Sequence, residues 1–143
     1  MKDISDKVDT ARLAVAEVRL WAPQDTLDRL RERRLDKGDA LEMARAAANL
    51  AAKRTPEIIP LCHPLPLRRL DVEYAFEPGA VRIEVTAGCT GPTGVEMEAL
   101  TAAAAAALTL YDMMKPHAGL AMHIGDLQLL SKSGGKSGYR RRS

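Results

Sequence analysis

A carboxylate and an ammonium near the end of a long alanine-rich run could carry out proton transfer. Asp112 and Lys115 are three residues apart, so on a helix they lie on one face. In that arrangement the two groups can tune each other's pKa for acid–base chemistry. The same spacing describes a surface ion pair, which contributes only about 0–1 kcal/mol to stability. Spacing alone leaves both interpretations open.

An acidic triplet, Glu96-Met97-Glu98, opens the same alanine-rich run, directly after the turn-forming residues 91–94. Carboxylates in the first turn of a helix are common because they complement the helix dipole. Two glutamates that are two residues apart share one side of the backbone only if it is extended. The triplet is therefore ambiguous between a helix start and a ligand-binding site.

A Cys-His pair, Cys62-His63, lies in a stiff segment with prolines at 60, 64 and 66. An apolar, rigid loop that carries such a pair is a candidate site. His63 could bind phosphate or shuttle a proton, or its ring could simply be satisfied by backbone groups. The other Cys and His residues lack the spacing of a zinc site, so we predict no metal and no cofactor.

Basic residues beside Gly, Ser or Thr at the ends of predicted elements could together hold a polyanion such as a triphosphate. These residues are Lys37, Lys53, Arg54, Lys132 and Lys136. The run 134–137, GGKS, is not a P-loop, because position 130 is Leu and the chain is too short afterwards for a helix.

The elements that must position these residues alternate between strand and helix patterns. Apolar residues recur every second position in predicted strands and every third or fourth in predicted helices. We predict, in order, a strand at 11–22, helices at 26–35 and 40–54, a rigid loop at 57–67, a hairpin of strands at 69–76 and 81–85, a helix at 99–114 and a strand at 120–130.

Local signals set the predicted helix ends. Asp25 and Asp39 are predicted N-caps, and the Thr55-Pro56 pair ends the second helix because residues before proline avoid helical backbone angles. The long helix at 99–114 is apolar on every side, so we expect it to be buried against a broad surface and to end at 116–119.

The length of this last helix restricts the active site. Glu98 and Asp112 are fourteen residues apart, which is roughly 21 Å along a helix. One small substrate cannot touch both in the same chain. If both ends are functional, we expect an active site that is shared across a symmetric subunit interface.

Length and composition indicate one domain over residues 1–143, with an irregular lead-in at 1–10 and a Gly/Ser-rich basic tail at 131–143. The element order predicts an α+β fold, a ferredoxin-like sandwich whose mainly antiparallel sheet carries helices on one face. The net charge of +2 does not indicate nucleic acid, and two cysteines make no disulfide framework. With no apolar run of membrane-spanning length and no signal peptide, we expect a soluble, cytoplasmic protein.

Two other function classes compete with an enzyme. A nucleotide- or RNA-binding module fits a ferredoxin-like sheet, but only five aromatic residues are present for base stacking. A purely structural oligomer would use the alanine-rich helix as a packing seam and would leave the Cys-His loop and the basic tail unexplained.

The segments at 37–41, 51–65, 93–103, 108–115 and 124–138 carry a family resemblance. They read KGDAL, AAKRTPEIIPLCHPL, TGVEMEALTAA, LTLYDMMK and IGDLQLLSKSGGKSG, and they closely resemble the MoaC family. The resemblance implies a lyase of molybdenum cofactor biosynthesis that converts 3′,8-cyclo-7,8-dihydro-GTP to cyclic pyranopterin monophosphate and releases pyrophosphate. It also implies a hexamer, built as a trimer of dimers, with active sites at subunit interfaces and no nucleic acid or membrane partner.

The resemblance also implies roles for individual residues. Asp112 corresponds to the catalytic acid/base, with Lys115 and Lys37 as its catalytic partners. The implied substrate contacts are Leu61, Cys62, His63, Glu96, Met97, Glu98 and Lys132. This chain departs from the family pattern at Met114, at Pro116-His117 and at His123, and the first two departures directly flank Lys115.

Overall fold

The structure, a computed structural model, describes residues 1–136 and 138–141, so the predicted tail lies partly outside the described residues. Within these ranges all the predicted strands and helices occur in the predicted order, and a short helix at Thr55–Ile58 begins where only a helix end and a rigid loop were predicted, because proline is tolerated in the first turn of a helix. The elements are β1 Thr10–Trp21, α1 Gln24–Arg31, α2 Ala40–Lys53, α3 Thr55–Ile58, β2 Leu67–Glu77, β3 Ala80–Gly91, α4 Glu96–Ala118, β4 His123–Ser133 and β5 Tyr139–Arg140.

The strands form one antiparallel sheet in the order β2-β3-β1-β4-β5. The first four strands have the arrangement of the ferredoxin-like fold, so the predicted fold class is confirmed. In this order β1 is central, with Ala16 beside Val85 of β3 and Leu20 beside Ile124 of β4. The hairpin of β2 and β3 is longer at both ends than the predicted strands at 69–76 and 81–85. The short β5 was not predicted, because two residues carry no periodic pattern.

The core lies between the sheet and the two long helices. Helix α4 packs on β1, β3 and β4, and α2 packs on α4 and β2. Alanine dominates this contact, and its small side chain lets the helix backbones approach the sheet and each other closely. The fully buried alanines at the contact are Ala16, Ala44, Ala48, Ala99, Ala102, Ala103, Ala106 and Ala107.

Helix α4 is buried against a broad surface formed by the sheet and α2, as predicted. Only one side of the helix makes this contact in the single chain, and Leu108 on the other side is 62% exposed. The helix also continues through Pro116, which the sequence analysis took as part of its end, and stops at Gly119. None of the helices in the described ranges is long and apolar enough to cross a bilayer.

The two helix starts that were predicted from aspartates differ. Asp39 is the N-cap of α2, and its carboxylate accepts the Glu42 N–H at 3.2 Å, which confirms the prediction. Helix α1 starts two residues earlier than predicted, because the Pro23 carbonyl accepts the Leu27 N–H at 3.1 Å and makes Pro23 the N-cap. Asp25 therefore lies in the first turn rather than at the cap. The helix ends at Arg31, before Arg33 adopts a left-handed φ of 59°.

Candidate functional site

Two ammonium groups hold the carboxylate of Asp112. Lys115 lies one turn further along α4 and donates to Asp112 Oδ1 at 2.7 Å. Lys37 comes from the loop between α1 and α2, and its Nζ lies 3.3 Å from Asp112 Oδ2 and 3.2 Å from the Asp112 backbone carbonyl. The structure thus brings all three predicted catalytic residues together, although Lys37 is 75 positions away from Asp112 in the sequence.

The charges in this cluster favour the ionised form of Asp112. The hydrogen bonds from Lys115 and then from Lys37, together with the charges of both, lower the pKa of Asp112 below its usual value. The Asp112 side chain is 57% exposed, so the group remains open to solvent in the single chain. Asp112 is therefore an accessible carboxylate at neutral pH and can accept a proton.

The six predicted substrate contacts from the Cys-His loop and the acidic triplet line a single pocket of about 370 Å³ at the other end of α4. Its walls include Leu61, Cys62, His63, Glu96, Met97 and Glu98. The His63 ring is held in place because its Nε2 lies 2.7 Å from the Lys2 carbonyl and donates to it. Segments more than thirty positions apart in the sequence thus meet at one concave surface.

Glu98 is the buried carboxyl group of this pocket. Only 3% of the residue is exposed, and this burial, with a smaller contribution from the charge of Glu96, raises its pKa. The pKa of the neighbouring Cys62 thiol is also raised, first by burial and then by the charge of Glu98. A carboxyl group in such an environment retains its proton to higher pH and can then donate a hydrogen bond.

Lys132 extends the site into a second cavity of about 670 Å³, and Thr93, Gly94 and Glu96 line both cavities. Lys132 Nζ lies 3.4 Å from Glu96 Oε1. The charged groups on the walls of this second cavity are the cations Lys7, Arg12, Lys132 and Lys136 and the carboxylates Asp6 and Glu96. The cavity is therefore suited to an anion.

Arg12 also lines this cavity, although no sequence pattern predicted a functional role for it. This residue is half-buried at the start of β1, and its Nε donates to the Gly91 carbonyl at 3.2 Å. In the described part of the chain no carboxylate lies within ion-pair distance of its guanidinium. A Cβ at Gly134 would collide with the backbone carbonyl of Ala11, so this glycine is needed for the basic tail to pass over the start of β1 beside Arg12. The Gly-Gly pair at 134–135 was the available signal, because it marks a close approach of two backbones.

The two halves of the candidate site do not meet within one chain. Helix α4 is continuous from Glu96 to Ala118, so the roughly 21 Å expected between Glu98 and Asp112 applies. Lys53 and Arg54, two of the predicted polyanion ligands, lie exposed at the end of α2 and line neither cavity described above. Within the described residues, no group of three or more His, Cys, Asp and Glu side chains could hold a metal ion.

The outer face of the sheet bears on the alternative of an RNA-binding module. Glu17 is buried there, with Arg19 at 3.0 Å and Gln128 at 2.7 Å from its carboxylate. The Trp21 ring stacks on His123 with the ring centroids 4.5 Å apart. Paired charges cover this face, and its tryptophan is already stacked within the protein, so it does not resemble a platform for unpaired bases.

Known proteins resemble this chain over nearly its whole length. A model of the MoaC family matches residues 1–135. A cyclic pyranopterin monophosphate synthase of Brevibacillus brevis is 52% identical over 139 residues, which cover 96% of this chain and 86% of that protein. The protein of the same name from Corynebacterium efficiens is 51% identical over 138 residues, covering 96% and 88%. That of Thermomicrobium roseum is 48% identical over 144 residues, covering 99% and 86%.

Proposed function

The chain belongs to the MoaC family, and from that premise we propose that it is a cyclic pyranopterin monophosphate synthase of molybdenum cofactor biosynthesis. It would convert 3′,8-cyclo-7,8-dihydro-GTP to cyclic pyranopterin monophosphate and release pyrophosphate. The observation that carries the proposal is the carboxylate of Asp112 between the ammonium groups of Lys37 and Lys115. Opening a purine ring and closing a pterin ring requires several proton transfers, and this group is built for them.

In this proposal Asp112 is the acid/base residue. Its lowered pKa keeps it ionised at neutral pH, so it takes a proton from the substrate first and returns it later. Lys115 and Lys37 stabilise negative charge that develops in the transition state and exchange protons with the substrate. Both lysines contact the carboxylate, so each proton transfer at Asp112 is coupled to a neighbouring positive charge.

The pocket at the start of α4 would bind the ring system of the substrate. Leu61 and Met97 supply apolar contact, and His63 and Glu98 supply polar groups at fixed positions. A protonated Glu98 can donate a hydrogen bond to a ring nitrogen or carbonyl, which an ionised carboxylate cannot do. The raised pKa of Glu98 supports this role.

The adjoining cationic cavity would bind the triphosphate. Arg12 has a guanidinium without a carboxylate partner in the described part of the chain, and guanidinium matches phosphate oxygens in a bidentate geometry. Lys132 and Lys136 from the basic tail and Lys7 from the lead-in surround the same space. Together these groups would stabilise the pyrophosphate as it leaves.

We propose that two chains complete each active site. Ala105 is the midpoint between Glu98 and Asp112, so a two-fold axis beside Ala105 would place each Asp112 against Glu98 of the partner subunit. The exposed Leu108 would be covered by this contact. Charges also match, because Lys37 and Lys115 would face the partner's acidic triplet. Three such dimers would form the hexamer that the family resemblance implies.

The cytoplasm is the compartment that we propose for this reaction. Cys62 and Cys89 are both free thiols, which is usual in reducing compartments. Fractionation of cells that express the full chain, followed by detection of the protein, would test this assignment.

The activity is tested with the purified full chain and the cyclised GTP intermediate. We expect the formation of the pterin product and of pyrophosphate in equal amounts. Asp112→Ala should fold with unchanged melting temperature, because the side chain is exposed, and should lose at least about 100-fold in turnover. Retained turnover in this variant would refute the assignment of Asp112, and no product from the unmodified chain would refute the proposed function.

The shared site is tested by mixing two inactive chains. Asp112→Ala and Glu98→Ala, which removes the hydrogen-bond donor that the proposal assigns to Glu98, are co-expressed with different tags, and the mixed oligomer is purified through both. In a mixed dimer one site carries both defects and the other carries neither. Equal random assortment should thus restore about one quarter of the unmodified activity, and doubly tagged hexamers should show about the same fraction, because nearly every randomly assembled hexamer contains both chains. Activity no higher than that of the separate variants would show that each chain builds its own site.

A further inference from the structure

Pro116 interrupts the hydrogen bonding of α4 at the catalytic carboxylate. In an α-helix the N–H of residue 116 would donate to the carbonyl of residue 112. Proline has no N–H, so the backbone carbonyl of Asp112 has no helical partner, although the helix continues to Ala118. Lys37 Nζ lies 3.2 Å from this carbonyl and supplies the missing donor.

The next residue, His117, fixes the loop that carries Lys37. His117 Nε2 accepts the backbone N–H of Asp36 at 3.3 Å, and its side chain is only 11% exposed. The turn itself is closed by the Gly38 N–H, which donates to Leu35 at 3.2 Å, and Gly38 adopts a φ of 115° that favours glycine. The last turn of α4 therefore holds the backbone beside Lys37 as well as its side chain.

We propose that Pro116 and His117 are positioning residues that clamp Lys37 to Asp112 throughout the catalytic cycle. This inference rests on the proposed function of Asp112 as acid/base. When Asp112 takes up a proton, its side chain loses most of its attraction for the ammonium of Lys37. The backbone carbonyl does not titrate, so it keeps the ammonium within reach in both protonation states.

The clamp also explains how the flexible side chain of Lys37 can hold one position although it is exposed to solvent. Lys37 and Asp112 are both largely open to solvent, and an unrestrained lysine side chain has many rotamers. Two acceptors on one residue, one of them part of the backbone, restrict the ammonium to a small region. The cost is a helix with one hydrogen bond fewer near its end.

Pro116→Ala tests the clamp, because activity and stability should change in opposite directions. The new N–H should bond to the Asp112 carbonyl, so the melting temperature should stay equal or rise. The kcat should fall about fivefold, the effect of one ordinary hydrogen bond, with KM changed less than twofold. Pro78→Ala, in the exposed turn between β2 and β3, is the matched control and should leave both unchanged. A variant with unmodified kcat, or one that loses stability and activity together, would overturn the proposal.

A double-mutant cycle shows whether Pro116 acts through Lys37. In a Lys37→Ala background, Pro116→Ala should leave the residual kcat unchanged, because no ammonium remains to be displaced. The same fivefold loss in both backgrounds would contradict the clamp. His117→Ala should lower kcat to a similar extent, and His117→Gln should restore part of it because glutamine offers an acceptor. Equal loss in both His117 variants would contradict the role of the ring nitrogen.

Hydrogen exchange separates failure of the clamp from failure of the proposed function. The Asp36 amide should be protected in the unmodified chain and should exchange at least about tenfold faster in His117→Ala. If the unmodified chain makes no pterin product, the proposed function fails, and this exchange measurement still decides whether the loop is held. Equal exchange in the two proteins would overturn the clamp.

Discussion

Glu98 and Asp112 lie on the same helix, yet their surroundings move their carboxyl pKa values in opposite directions. Burial raises the pKa of Glu98, and hydrogen bonds from Lys115 and Lys37 lower that of Asp112. One end of α4 thus has an enclosed carboxyl group whose pKa is raised by burial. The other end has an open carboxylate that favours its charged form. The proposed function assigns substrate recognition to the first end and proton transfer to the second.

This contrast matches the two different tasks that the proposed function gives to the ends of α4. The enclosed end has two adjoining cavities. The open end has a charged cluster in which the Asp112 side chain is 57% exposed. The first end provides cavities, and the second end provides the carboxylate of Asp112 with its two ammonium groups. A second copy of the chain that approaches in the opposite direction would supply the missing half to both ends, which makes the comparison open to experiment.

The most disruptive test is to prevent the two ends from meeting. Leu108→Glu places a charge on the exposed side of α4, where the proposed partner helix packs. The isolated chain should still fold, because the side chain leaves the core untouched, but it should elute as a smaller species. Turnover should fall at least about 100-fold, because each site loses its second half.

The control for this variant is Leu120→Glu, which adds the same charge at a residue that is 97% exposed outside α4. It should keep the oligomeric state and the activity of the unmodified chain. A Leu108→Glu protein that is monomeric in sedimentation and fully active would contradict the shared site and restore the reading of two unrelated ends.

A smaller effect is expected from the cationic cavity beside the enclosed end. Arg12→Ala removes a guanidinium that would bind phosphate oxygens, so KM should rise about 10- to 100-fold, the range for one charge-assisted hydrogen-bond pair. Arg12→Lys should recover part of the affinity because it keeps the charge without the bidentate geometry. Calorimetry with inorganic pyrophosphate should show the same order of affinities.

The matched control for Arg12 is Arg31→Ala on α1, which follows the opposite end of β1 and pairs with Asp28 at 3.1 Å. It removes one positive charge from the chain but none from the cavity, so pyrophosphate binding should be unchanged. An Arg12→Ala protein that binds pyrophosphate like this control would exclude the cavity as the phosphate site.

The fold could be predicted well because its signals are local. Asp39 caps α2 by a hydrogen bond to a residue three positions on, and the alternating β1 pattern needs no knowledge of its partners. Pro116 was misread because a proline ends most helices, whereas here Lys37 satisfies the carbonyl that the proline leaves free. That compensation comes from a residue far away in the sequence, which no local pattern can indicate.

The candidate site was predictable only where residues are neighbours in sequence. Their spacing predicts that Asp112 and Lys115 share a helix face. Lys37 was a candidate polyanion ligand, and only the family resemblance assigned it to the catalytic group of Asp112. Neither spacing nor the family resemblance assigned Arg12 to the site, because a basic residue near a strand end is usually solvated. Its place in the cavity depends on the backbone of the tail passing over β1 at 134–135, a tertiary contact. Sequence spacing therefore predicts which neighbouring side chains share a face, and the tertiary fold decides which distant side chains join them.

The smallest effect should appear in the pH dependence of stability at the enclosed end. The folded chain holds the Glu98 proton more tightly than the unfolded chain, because burial raises this pKa above its usual value of 4.5. The folded state then binds more protons, so stability falls as pH rises from 4.5 through the raised pKa. Glu98→Gln has no such proton to lose. It should match the unmodified chain near pH 4 and melt about 2–4 °C higher at pH 8.

Asp112→Asn is the opposite case and serves as the comparison. Its folded pKa lies below the usual 3.8, so the carboxylate favours folding above that pH and loses this contribution as pH falls through the lowered pKa. Asp112→Asn should therefore show equal or slightly lower melting temperatures at pH 8, and the effect should be small because solvent screens an exposed group. Scanning calorimetry of both variants at pH 4 and pH 8 measures the sign of each change in melting temperature relative to the unmodified chain. If both variants changed the melting temperature at pH 8 in the same direction, the proposed electrostatic contrast between the two ends of α4 would be contradicted.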